Sequence, residues 1–179
     1  YYVYNPLVGF GYYGGGINTD PDYGITAEKK VGVRIEISNS ETNQLGVPLP
    51  KGRMRLYRTD VDGRREFTGE NQMDHLPKNE LLKLDMGSAF DLVGERKRVD
   101  FTVDTTAKKM TESFEIKLRN RKDAPVEIRV VEPLYRCANW KIAVASLPFA
   151  KVDANTVEFR APVPADGETV LTYTVNYWW

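Results

Sequence analysis

Apolar residues recur at every second position through most of this chain, and a period of two is the spacing of a half-buried β-strand rather than of a helix. Val31, Val33, Ile35 and Ile37 alternate with Gly32, Arg34, Glu36 and Ser38. Met54 and Leu56 alternate with Arg53 and Arg55 before an Asp62-Gly63 turn, and the chain returns through Glu66 to Gly69, which reads as a hairpin. Leu82, Leu84 and Met86 mark a strand ending at Gly87. Val99, Phe101 and Val103 mark another, with Arg98, Asp100, Thr102 and Asp104 facing away. Met110, Phe114, Ile116 and Leu118 run to Asn120, a polar turn through Pro125 reverses the chain, and Val126, Ile128 and Val130 return it. Trp140, Ile142 and Val144 follow, with Trp140 expected as a core anchor between sheets. No segment keeps apolar residues at helical spacing over three turns.

The last two apolar sets, Val157/Phe159/Ala161/Val163 and Leu171/Tyr173/Val175/Tyr177, must share one face if they form a hairpin. A three-residue loop, Ala165-Asp166-Gly167, meets that condition. It pairs Pro164 with Glu168, Ala161 with Leu171 and Phe159 with Tyr173, and requires positive φ at Gly167 in a G1 bulge. Eight or nine strands with no helices between them predict an all-β fold, an antiparallel β-sandwich of immunoglobulin-like character. The expected organisation is an aromatic and glycine-rich N-terminal segment, residues 1–24, followed by a β-sandwich domain, residues 25–179. A charged stretch at residues 105–108 offers a soft boundary between two packed β-units, 25–105 and 106–179.

Charge and composition narrow the chemistry. Lys plus Arg and Asp plus Glu each total 25, so no net field draws in nucleic acid or an anionic surface. The runs Arg64-Arg65, Arg96-Lys97-Arg98 and residues 119–122 are bordered by acids and read as solvated strand faces and turns. The single cysteine, Cys137, admits no intramolecular disulfide and reads as a buried thiol. The longest apolar run, residues 142–150, falls short of the roughly 18 to 20 residues that cross a bilayer as a helix. The single histidine, His75, has the setting of an exposed turn, and neither a Ser/His/Asp triad nor a zinc site can be assembled around it. Asp60 and Asp62 resemble half of a calcium loop, but the first ligand position falls on Arg58 and the twelfth on Gly69, so a hairpin turn is the simpler reading. Paired carboxylates for glycan hydrolysis could be drawn from Glu66, Glu70, Asp85, Asp91, Asp100 and Glu158, most of them on polar positions of the alternation. No cofactor is expected.

One region stands apart. Residues 1–19 carry no charge yet hold six aromatics, Tyr1, Tyr2, Tyr4, Phe10, Tyr12 and Tyr13, and five glycines. Uncharged aromatics seek a groove or another strand. Tyr1, Tyr2, Val3, Tyr4, Phe10, Tyr12 and Tyr13, with Trp178 and Trp179 at the other end, are therefore the candidate partner-binding residues, the alternative being that the N-terminal segment folds back and covers an open edge of its own sandwich.

The stretches Leu45-Gly46-Val47-Pro48-Leu49-Pro50-Lys51-Gly52, Arg55-Leu56-Tyr57-Arg58, Phe67-Thr68-Gly69-Glu70, Gly87-Ser88-Ala89-Phe90-Asp91, Gly94-Glu95-Arg96 and Ile116-Lys117-Leu118-Arg119-Asn120 carry a resemblance. Over about residues 30–178 the chain resembles the C-terminal domain of a family of secreted or envelope-associated bacterial proteins of unknown function, related to mucoidy-inhibitor-like proteins. The resemblance implies a precursor with a signal peptide, an extracytoplasmic location and no established catalytic residue. A first residue other than Met fits a processed chain or a fragment.

Three functions stand open at this point. The chain is expected to be a non-catalytic extracytoplasmic module that binds a protein or envelope component, with no nucleic acid partner and no membrane span. Alternatively it is a structural subunit of an extracellular assembly, self-associating through strand addition of its N-terminal segment. A carboxylate-dependent glycan hydrolase is the third.

Overall fold

A computed structural model describes residues 1–7 and 17–179. Its described residues form no α-helix, only strands, turns and a single 3-10 turn at Glu41–Asn43. The strands are β1 (Tyr2–Tyr4), β2 (Lys30–Ser38), β3 (Gly52–Thr59), β4 (Arg65–Met73), β5 (Leu81–Asp104), β6 (Lys109–Asn120), β7 (Val126–Pro133), β8 (Trp140–Ala145), β9 (Phe149–Asp153), β10 (Thr156–Val163) and β11 (Glu168–Trp178). Nine of them form one sheet in the order β8-β11-β6-β5-β2-β1-β7-β10-β9, and β3 and β4 form a hairpin of their own. The fold is all-β, as the alternation requires. The sheet is mixed rather than purely antiparallel, because β1 runs parallel to β7.

The chain divides into two compact units, Tyr1–Val31 with Ala89–Trp179, and Gly32–Ser88. Residues 105–108, the stretch read as a soft boundary, are the turn between β5 and β6, which pair along Leu92 to Asp104.

In the first unit the sheet folds back on itself. Phe159 on β10 and Tyr173 on β11 have ring centroids 5.4 Å apart, although among the described residues β10 pairs with β7 and β9, and β11 with β6 and β8. Two layers therefore face each other across a core that includes Tyr4, Met110, Phe114, Ile116, Leu118, Ile128, Val130, Phe159, Leu171, Tyr173 and Tyr177. Each fully buried aliphatic or aromatic side chain of this kind stabilises the fold by about 1.5–3 kcal/mol.

This arrangement corrects the expected hairpin between β10 and β11. Phe159 lies opposite Val130 and Tyr173 opposite Phe114, so the two apolar sets face one core from opposite layers instead of pairing in one ladder. Gly167 does not take positive φ. Asp166 does, at 41°. Alternation reports which residues face the core, and it is silent on which strand lies beside which. The same crossing occurs between β6 and β7. Buried Asn120 ties the two corners together, donating to Ala124 O and Pro164 O at 2.9 Å each, while its amide donates to Gly167 O.

Two expected strands are joined in β5, which runs unbroken through Gly87 (φ 87°). Val99 is the extra residue of a bulge, since Arg98 lies opposite Phe114 and Asp100 opposite Ser113. Val99 is accordingly exposed rather than on the core face. In the second unit, the β3–β4 hairpin turns at Gly63 (φ 75°), where the sequence placed it.

Candidate functional site

The N-terminal residues are built into the first unit. Tyr2, Val3 and Tyr4 lie opposite Ile128, Arg129 and Val130 of β7. Tyr4 is fully buried, its hydroxyl donates to Glu28 O at 2.8 Å, and its ring occupies the space where a Cβ on Gly94 would sit, 2.3 Å away. The Arg129 guanidinium lies 3.8 Å above the Tyr1 ring, and Tyr2 packs on the rim of the core. Pro6 follows the strand, accepts from Glu28 N at 2.8 Å, and is succeeded by buried Leu7. Phe10, Tyr12 and Tyr13 lie outside the described residues.

The chain is fixed again at residues 17–24 by two buried arginines. Arg136 donates to Asn18 O, Asp20 O and Tyr23 O at 3.2, 2.5 and 2.9 Å, and Arg96 donates to Gly24 O at 2.9 Å. Gly24 takes φ 73°, and a Cβ there would meet the Tyr135 ring at 2.3 Å, so only glycine suits this turn.

Behind these carbonyls lies a buried ionic cluster. One oxygen of Glu112 on β6 accepts from Arg136 Nη2 and Nε at 2.8 and 3.2 Å and from Arg98 Nη1 at 3.4 Å. One oxygen of Glu132 on β7 accepts from Arg96 Nε at 3.0 Å and from the Tyr173 hydroxyl at 2.5 Å. The side chains of Glu112, Glu132 and Arg136 are wholly buried. The second oxygen of each carboxylate, Arg96 Nη2 and the Tyr177 hydroxyl are buried without a hydrogen-bond partner among the described residues. Aromatic faces complete the walls, with Arg96 3.8 Å from the Phe114 centroid and Arg136 5.0 Å from that of Phe101.

Burial dominates the electrostatics. Loss of hydration pushes the Glu132 carboxyl above its usual range, against the opposing pull of Arg96, and the neighbouring Glu112 charge adds to the rise. Burial likewise pushes the Tyr173 and Tyr177 phenols well above theirs, assisted by Glu132 and Glu112 respectively. Three guanidiniums around two carboxylates leave the cluster suited to holding carbonyl oxygens, and it holds four of them in residues 18–24. Breaking such a cluster by removing one partner is costly, because it strands a buried charge.

These residues were missed from the sequence although their signal is present. Glu112 falls in phase with Met110, Phe114, Ile116 and Leu118, and Glu132 in phase with Ile128 and Val130. A charge on the apolar phase of a strand marks a buried ion. The run Arg96-Lys97-Arg98 is corrected on the same ground, since Arg96 and Arg98 point inward with side chains 1% and 14% exposed.

The remaining candidates scatter. Trp178 is 45% exposed and Trp179 packs on the rim of the core. Trp140 is half-buried at the rim, bonding Ala154 O through Nε1 beneath the Lys151 ammonium. Cys137 is buried, with Sγ 3.2 Å from Trp178 O. His75 is exposed and its Nδ1 accepts from Lys51 N at 3.3 Å. Asp60 accepts from Val61 N within the β3–β4 turn, and among the described residues no three His, Cys, Asp or Glu side chains converge to hold a metal ion. Glu70, Asp85, Asp91 and Glu158 each pair with a cation. No family model, curated protein or solved structure matches the chain.

Proposed function

We propose that this chain is a non-catalytic extracytoplasmic β-domain that works as a protein- or envelope-interaction module, with residues 8–16 as its contact element. One observation carries the reading: the chain on either side of that stretch is fixed to the same unit, at Tyr4 and Leu7 before it and on Arg136 and Arg96 after it. The stretch so held contains Phe10, Tyr12, Tyr13 and five glycines and no charge. A contact element tethered at both ends loses less conformational freedom on binding than a free tail. The extracytoplasmic placement rests on the family resemblance.

The assembly reading has less support. Tyr2–Tyr4 already pairs with β7 of its own chain. Both outer strands of the large sheet are short and carry the extra residue of a bulge, Ala143 on β8 and Val152 on β9, and Lys151 sits on β9. Short, bulged and charged edges resist pairing with another copy.

The test uses the whole chain, because removing residues 1–24 would also remove core. A photo-crosslinking residue at position 12 is exposed to cell-envelope extract, beside a Phe10→Ser/Tyr12→Ser/Tyr13→Ser variant probed by pull-down. The module reading expects a discrete crosslinked species, its capture lost in the triple variant, and an unchanged circular-dichroism spectrum. Undiminished capture by the triple variant would refute residues 8–16 as the contact element.

A further inference from the structure

The β3–β4 hairpin has a different kind of edge from the two ends of the large sheet. Among the described residues β3 pairs only with β4, so there the backbone groups on its other side are not used in a ladder. The bulge in this hairpin falls on β4, where Thr68 is the extra residue between the pairs Leu56 with Gly69 and Tyr57 with Phe67. β3 therefore runs regular and unbroken from Gly52 to Thr59. β4 is interrupted by that bulge, and beyond it the Asn71 side chain is engaged with the Asp85 backbone, Nδ2 donating to Asp85 O at 2.6 Å and Oδ1 accepting from Asp85 N at 3.3 Å. A regular edge strand without a bulge is a template for another strand.

The side chains on this edge select what can pair. Arg53, Arg55 and Tyr57 alternate along β3 and share one face with Glu70 and Phe67. A single carboxylate, Glu70, serves both arginines, at 3.2 and 3.0 Å, leaving an excess of positive charge. Arg65 adds to it on the same face of β4. Tyr57 and Phe67 are 53% and 59% exposed and meet edge to face at 5.8 Å. The opposite face presents half-buried Met54 and Leu56. An incoming cationic strand is repelled by this pattern. One with carboxylates two residues apart and apolar residues between them meets both faces.

We propose that the outer edge of β3 takes up an extended acidic peptide as an added strand, its alternate carboxylates lying against Arg53 and Arg55. This site is separate from residues 8–16, so it stands or falls independently of the contact element proposed above. The recognition is backbone pairing for affinity and alternate side chains for selection.

The probe is a capped, fluorescent Thr-Val-Glu-Val-Glu-Val-Thr peptide titrated into the full chain and followed by anisotropy, with hydrogen exchange read over residues 52–59. The expected result is saturable binding with exchange slowed in β3. A peptide carrying Lys in place of Glu binds at least about tenfold more weakly, and the Arg53→Glu/Arg55→Glu/Glu70→Lys variant reverses that preference. Alternate N-methylation of the peptide, which removes its strand-pairing donors but keeps its side chains, abolishes binding. The proposal is overturned if the probe fails to bind at millimolar concentration, if the N-methylated or a scrambled peptide binds equally well, or if β3 exchange is unchanged at saturation. Binding of a carboxylated polysaccharide without binding of the peptide also overturns it.

Discussion

Arg136 places two nitrogens on one oxygen of Glu112, at 2.8 and 3.2 Å, and turns its remaining donors to the carbonyls of residues 18, 20 and 23. The carboxylate thus neutralises the charge that holds the N-terminal strap. Replacing Glu112 with Ala leaves that guanidinium buried and uncompensated, and should cost about 3–5 kcal/mol of stability by urea denaturation. The double variant Glu112→Leu/Arg136→Met should recover much of that loss while amide exchange across residues 17–24 accelerates. A single variant that loses less than about 1 kcal/mol would show the charge to be solvated, contrary to the geometry.

Gly94 is required by Tyr4. A methyl group on residue 94 would lie 2.3 Å from the Tyr4 ring, so Gly94→Ala must expel the ring or shift β5. The expected cost is about 1–3 kcal/mol, with early proteolytic cleavage near residues 5–7. A Gly94→Ala/Tyr4→Ala pair should be less than additive. Full additivity would mean that the two residues do not meet.

Alkaline pH separates the tyrosines. Burial, with nearby carboxylates assisting, raises Tyr4, Tyr135, Tyr173 and Tyr177, four of the ten in the chain. An unfolded phenol ionises near about 10, so above that pH the folded chain binds more protons than the unfolded one and stability falls as pH rises. Absorbance titration at the phenolate band should show these four silent until the protein unfolds. Reversible ionisation of all ten in one phase near the ordinary value would contradict their burial.

Glu132 has the same sign at lower pH. Burial is the largest cause of its raised carboxyl, with Arg96 and Tyr173 opposing it and Glu112 reinforcing it. An unfolded glutamate titrates near about 4.3, so from there up through the raised folded value this group makes stability decline with rising pH. Glu132→Gln should remove that slope. Carbon NMR of the labelled carboxyl checks the cause, and titration at or below the ordinary glutamate value would contradict it.

Some of this fold can be read from the alternation and some cannot. The β3–β4 turn at Gly63 and the core faces of β6, β7, β10 and β11 follow from residue spacing. Strand neighbours do not, because Phe159 and Tyr173 bury equally well as partners in one ladder or across two layers. The N-terminal aromatics show the same limit. Tyr4 reads as sticky, yet it takes Gly94, 90 positions later (94 − 4), to give its ring a place inside. The ionic cluster was legible in principle, since Glu112 interrupts the apolar phase from Met110 to Leu118 and Glu132 closes the one from Val126 to Val130. Their arginine partners lie on other strands, and only the topology brings the charges together.

The position of β1 bears on how the chain is made. Three residues at the N-terminus sit between β2 and β7 in the middle of the sheet order, and Tyr2 lies opposite Ile128, 126 positions away (128 − 2). Contacts that distant are slow to form. During synthesis β1 must wait, with Tyr4 uncovered, until β7 has followed it. The join between the two halves of the sheet is therefore among the last to close, and the nascent chain is most exposed to misassociation through the very residues that end up deepest inside.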